Sequence, residues 1–155
     1  MRKPPEGWPR ISSALFYEDA AAAIDWLCRA FGFEVRLKVE GEGGRIEHSE
    51  LNFGDDGLIM VGSSGGSKPG RPERGMFVSP RVVGGSNTQS LCIHVDDVEA
   101  HCERARAAGA RIAQEPATQD YGEEYWADKS YEAQDPEGHF WWFIQRVRDP
   151  KPSER

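Results

Sequence analysis

The chain repeats one pattern of strand, amphipathic helix, glycine and strand hairpin about half its length further on. This duplication restricts the fold more than any single motif does. The first copy reads Leu15-Phe16-Tyr17-Glu18-Asp19, a helical stretch from Ala20 to Ala30, Gly32, and a tight turn from Gly54 to Gly57 leading into Leu58-Ile59-Met60-Val61. The second reads Cys92-Ile93-His94-Val95-Asp96-Asp97, a helical stretch from Val98 to Ala108, Gly109, and Asp135-Pro136-Glu137-Gly138 leading into Phe140-Trp141-Trp142-Phe143. Asp19 to Asp97 is a step of 78 residues, Gly32 to Gly109 one of 77 and Gly57 to Gly138 one of 81. Landmarks of different chemistry at nearly one offset mark a tandem repeat.

Local patterning fills in each copy. Asp19 is placed to cap the first helix, whose Ala20, Ala23, Ile24, Leu27 and Phe31 recur at i, i+3, i+4 spacing and form a stripe that must face a sheet. Gly32 ends it. Strands are expected from Arg10 to Tyr17, Val35 to Val39, Arg45 to Phe53 and Leu58 to Val61, and then from Thr88 to Val95, at Arg111 to Ala113 and beyond, from Lys129 to Gln134 and from His139 to Arg146. Each copy is therefore βαβββ. The predicted organisation is an N-terminal arm over 1–9 anchored by Trp8, a first module over 10–62, a Gly-, Ser- and Pro-rich linker or mobile loop over 63–87, a second module over 88–147, and a disordered tail over 148–155. A chain of 155 residues is of single-domain size, so the copies are expected to share one domain.

Composition bears on partners. No apolar run is long enough to span a bilayer and the first residues lack the apolar stretch of a signal peptide, so a cytoplasmic protein with no membrane partner is expected. A net charge of −7 excludes nucleic acid as the expected partner, because phosphate binding needs clustered Lys and Arg. Cys28, Cys92 and Cys102 show no Cys-x-x-Cys spacing and read as small buried hydrophobes.

The tandem βαβββ pattern, together with Asp135-Pro136-Glu137-Gly138-His139-Phe140-Trp141 and the preceding Trp126-Ala127-Asp128-Lys129-Ser130-Tyr131, resembles the vicinal oxygen chelate superfamily of glyoxalases, bleomycin-resistance proteins and extradiol dioxygenases over residues 10 to 146. The resemblance implies an α+β fold in which the two modules form a half-open, eight-stranded, barrel-like cleft with helices outside, often in a homodimer. It also implies where a divalent metal would sit in the enzymes of the family: on the first and last strand of each module. Counted from Asp19, Asp97 and Asp135, those positions are Ser12, Met60, Ser90 and Trp142. Two hydroxyls, a thioether and an indole offer no imidazole or carboxylate, so no metal or other cofactor is expected.

Alternation along the strands says which residues would line that cleft. Phe16, Met60, Phe140 and Trp142 give it apolar and aromatic walls, with Trp126 and Tyr131 as further ligand-binding candidates. His48, Glu50 and His94 supply polar groups. Apolar walls with scarce polar groups suit a small-molecule pocket. His48 and Glu50, two apart on one strand, read either as a solvated strand face, as a proton-transfer pair or as two ligands of an improvised metal site. His94 reads as a ligand contact or as a rim residue bonded to the Asp96-Asp97 cap. The expected function is metal-free sequestration of a small aromatic or cationic compound. The alternative is a lyase, isomerase or other glyoxalase-like enzyme whose displaced acid/base or metal site is His48, Glu50 and His94.

Overall fold

A computed structural model describes residues 1–66 and 70–152. The chain divides into two compact units, Met1–Ser86 and Asn87–Arg155. Each contains one βαβββ module. The first runs β1 (Ser13–Tyr17), α1 (Ala20–Phe31), β2 (Glu34–Glu40), β3 (Ile46–Phe53) and β4 (Gly57–Ser63), and the second β5 (Leu91–His94), α2 (Val98–Ala107), β6 (Arg111–Asp120), β7 (Ala127–Gln134) and β8 (Phe140–Arg148). The sheets are ordered β1-β4-β3-β2 and β5-β8-β7-β6, and neither closes. In both, the first strand pairs parallel with the last, and the remaining pairs are antiparallel. The two βαβββ copies that the duplication predicts are present, in the α+β arrangement that the resemblance implies.

Parallel pairing requires a crossover, and the helix supplies it. Asp19 caps α1 through Ala22 N–H at 3.0 Å, and Asp97 caps α2 through Ala100 N–H, also at 3.0 Å. Gly32 takes the left-handed conformation at φ 87° that stops α1. The expected stripe of α1 is buried, and Leu15, Tyr17, Leu51, Ile59 and Val61 are buried in the same unit. In the second unit α2 buries Val98, Cys102 and Ala105, while Tyr131, Ala133, Trp141 and Phe143 are fully enclosed.

The boundaries differ in instructive places. β1 and β5 begin at Ser13 and Leu91, so Ser12 and Ser90 precede their strands instead of lying inside them. Both are edge strands with a single neighbour, and the ladder limits them. β6 runs to Asp120 although Pro116 interrupts it. The ladder skips from Gln114 to Ala117 around the proline, and an edge strand tolerates the missing N–H there. The stretch over 63–87 carries two short 3₁₀ helices, Pro72–Met76 and Pro80–Val83, and falls in the first unit as far as Ser86. Residues 67–69 of that stretch and residues 153–155 of the expected tail lie outside the described residues. Cys102 is buried as expected, but Cys28 is only half-buried and Cys92 is exposed, because alternation turns Cys92 to the face opposite Leu91 and Ile93. Among the described residues no helix is long and apolar enough to cross a membrane.

The Asp-Pro-Glu-Gly turn has a structural task. Asp135 is 5% exposed, and its carboxylate accepts hydrogen bonds from the backbone N–H groups of Glu137 and His139 and from the indole Nε1–H of Trp141, each at 3.0 Å. One buried side chain thus shapes the turn and fixes the rotamer of the largest core residue. Asp135→Ala should lower the unfolding free energy by about 2–4 kcal/mol, since buried donors lose their acceptor. Urea denaturation measures this loss.

Candidate functional site

Alternation leaves one face of each sheet turned away from its own helix, and the registers say which residues share a row there. In the first module Ala14 lies beside Met60, and Met60 beside Glu50. One row on, Phe16 lies beside Gly62. A Cβ at Gly62 would meet the Phe16 ring at 3.7 Å, so the ring extends over bare backbone. Phe77 stacks on Phe16 with centroids 4.9 Å apart and planes at 29°. The segment after β4 thus returns an aromatic residue to this face, an interaction the sequence reading misses because Phe77 lies in a stretch with no periodicity.

Glu50 is 7% exposed and is held by two partners, Arg36 Nε at 3.3 Å and His48 Nε2 at 3.0 Å. Arg36 reaches it because β2 is bulged. Val35 pairs with Leu51 and Leu37 with Glu50, leaving Arg36 as the extra residue. The guanidinium also donates to Gly7 O at 2.5 Å and lies over the Trp8 ring at 5.3 Å, which ties down the N-terminal arm. Trp8 is therefore an anchor, as expected, and Arg36 is its partner. A buried carboxylate costs several kcal/mol unless a cation meets it, so Arg36 is what allows Glu50 to sit there. The solvated strand face expected for His48 and Glu50 does not hold for Glu50, which is buried and in contact with both His48 and Arg36.

The second module repeats the rows with other chemistry. Cys92 lies beside Trp142 and Trp142 beside Glu132; His94 lies beside Ile144 and Ile144 beside Ser130. Trp141 is fully enclosed and Trp142 is 38% exposed, as adjacent residues on opposite faces must be. Glu132 is missing from the sequence reading, although it stands 82 residues after Glu50 as Trp142 stands 82 after Met60. Applying the repeat offset to the polar candidates as well as to the turns would have found it. Phe140 is half-buried, on the same side of β8 as Trp142. His94 is exposed and, among the described residues, makes no bond to the helix cap, where Asp97 is engaged with Ala100. Desolvation, and then the charge of Asp128, push the Cys92 thiol above its usual range, which leaves it a poor nucleophile.

Two candidates change role. Tyr131 is expected to offer a ligand its hydroxyl, but it is fully buried on the helix side, bonded to His101 Nδ1 at 2.6 Å and stacked on Phe143 at 5.1 Å. The parity of β7 decides this, because the residue that shares a face with Trp142 is Glu132. Burial drives the Tyr131 phenol far above its ordinary pKa. Trp126 is on the surface between Tyr121 and Tyr125, with Arg146 over its ring at 5.4 Å. Arg146 is in turn fixed by Asp128 at 2.6 Å. One face of the Trp126 indole is thus occupied by the chain's own cation.

The four positions that would carry a divalent metal do not fit one. Met60 and Trp142 stand at equivalent points of β4 and β8, paired with Ala14 and Cys92. Ser12 Oγ is buried without a hydrogen-bond partner among the described residues, and Ser90 is exposed. No group of three or more His, Cys, Asp or Glu among the described residues is arranged to hold a metal ion.

Residues 10–143 match the Glyoxalase/Bleomycin resistance protein/Dioxygenase superfamily, and the chain belongs to that family. An uncharacterised protein of Mycobacterium tuberculosis (strain H37Rv) is 30% identical over 146 residues, covering 94% of this chain and 79% of the relative. Among solved structures, TioX from Micromonospora sp. ML1 is 30% identical and superposes with a TM-score of 0.65, covering 88% of this chain and 98% of that one. TnmS3, an antibiotic binding protein from Streptomyces sp. CB03234, shares the fold at 19% identity and a TM-score of 0.59, over 88% of this chain and 93% of its own.

If Arg36 compensates Glu50, the two are coupled. Arg36→Ala should destabilise the protein, Arg36→Ala combined with Glu50→Gln should recover part of the loss, and the coupling energy should be about 1–2 kcal/mol. A double-mutant cycle in urea measures it.

Proposed function

We propose that this protein binds a small molecule, flat and aromatic or cationic, without a metal, and sequesters it instead of transforming it. The observation that carries this reading is the pair of equivalent rows, Ala14-Met60 and Cys92-Trp142, at the places where the first strand meets the last. None of these side chains is a hard-metal donor, and the same faces carry Phe16, Phe77 and Trp142 as stacking surfaces. Apolar surface with few polar groups suits a small-molecule site. The fold shared with an antibiotic binding protein supports the same reading. A homodimer, as the family resemblance implies, completes it.

The His48–Glu50 bond at 3.0 Å favours a second reading, an enzyme that uses this pair as acid and base. The Arg36 contact with Glu50 weighs against it, since the carboxylate is already engaged by the chain's own guanidinium.

Titration of tryptophan fluorescence with a panel of flat aromatic amines and antibiotics should reveal a ligand of micromolar or better affinity, weakened in Trp142→Ala. Elemental analysis of protein purified without chelator or affinity tag should find no stoichiometric transition metal. A bound metal that is lost in Glu50→Ala, or turnover with no binder tighter than millimolar, would overturn sequestration in favour of the enzyme.

A further inference from the structure

We infer that Glu132 and Trp142 form a subsite for a planar cation, of the amidinium or guanidinium class, on the second module; this rests on the small-molecule reading above. The argument comes from the first module, which contains the filled version of the same arrangement. There, Glu50 on β3 stands beside the last strand, the bulged residue of β2 is Arg36, and the guanidinium lies between the Glu50 carboxylate at 3.3 Å and the Trp8 indole at 5.3 Å.

Glu132 occupies the lattice point of Glu50, across the same antiparallel pair of strands. β6 is bulged at the same place as β2, because Ile112 pairs with Ala133 and Gln114 with Glu132. The extra residue is Ala113, which stands 77 after Arg36, the same step that separates Gly32 from Gly109. A methyl group replaces the guanidinium, so the second module supplies no cation from that point. The nearby cations are engaged elsewhere: Arg111 donates to Gln134 at 2.7 Å and Arg146 pairs with Asp128 at 2.6 Å. Among the described residues Glu132 makes no ion pair, yet it is half-buried and cross-strand from the partly exposed indole of Trp142.

Opposed residues in an antiparallel pair hold their Cβ atoms roughly 5 Å apart. A planar cation can therefore stack on the indole while its N–H groups meet the carboxylate. The recognised chemistry is a delocalised, flat positive group. A point-charge ammonium meets the carboxylate but has no plane to stack on the ring.

Benzamidine and its neutral isostere benzamide are the probes, titrated by ligand-observed NMR. The wild-type protein should bind benzamidine at least about tenfold more tightly than benzamide. Glu132→Gln should remove that preference and leave benzamide unchanged, while Glu103→Gln, an exposed carboxylate on α2, should leave both unchanged. Ala113→Arg, which recreates the arrangement of the first module, should weaken benzamidine by a similar factor with a native thermal transition. Equal binding of the two probes, no benzamidine binding at millimolar concentration, or a preference that survives Glu132→Gln overturns the subsite. If aromatic compounds still bind in a Trp142-dependent way, the small-molecule reading stands and only the cation inference falls.

Discussion

The parallel pairing of the first strand with the last, made once in each module, is the constraint from which the rest follows. It forces a crossover, which the capped helix provides, and it makes the last strand internal to the sheet. An internal strand is covered on one face by the helix and carries the row of candidate site residues on the other. Hence Leu58-Ile59-Met60-Val61 and Phe140-Trp141-Trp142-Phe143-Ile144 read as nearly continuous apolar runs. The same pairing sets Ala14 beside Met60 and Cys92 beside Trp142, so the chemistry of the faces is decided at the point where the topology is decided.

On that common lattice the copies differ at a few positions with large consequences. The bulge of the second strand delivers Arg36 in one module and Ala113 in the other, and the last strand presents Met60 in one and Trp142 in the other. The first module pairs its buried carboxylate Glu50 with Arg36 and, through the same arginine, fastens Gly7 and Trp8. The second fastens its turn with Asp135, which spends a carboxylate on backbone and indole donors and leaves Glu132 to the face. Duplication has kept the scaffold and divided the roles of the acids.

Much of the architecture was legible in the sequence because it rests on local signals. Asp19, Asp97 and Gly32 act where capping rules place them, and the α1 stripe is buried as its spacing requires. The site was legible only as far as parity carried it. Trp141 and Trp142 separate as adjacent residues must, but Tyr131 sits in the core, because the residue facing Trp142 depends on the β7–β8 register and not on composition. The Arg36–Glu50 pair depends on a bulge, which has no periodic signature, and the Phe16–Phe77 stack joins a strand to an irregular segment 61 residues away. Long-range contacts of this kind leave no trace in a single sequence beyond the apolar character of the partners.

The contrast between Glu50 and Glu132 bears on how stability and binding are divided in this chain. A carboxylate taken partly out of water loses hydration, and a guanidinium at 3.3 Å restores much of it in the first module. Without such a partner, a half-buried acid beside an indole lowers the stability of the folded state, and that deficit disappears when a cation arrives. Binding sites are commonly built on this principle: groups left under-satisfied in the free protein gain most from the ligand. The first module has closed that opportunity with its own arginine, which also secures the N-terminal arm. In the second, Ala113 cannot close it, so the proposed cation subsite falls to the copy whose acid makes no ion pair among the described residues.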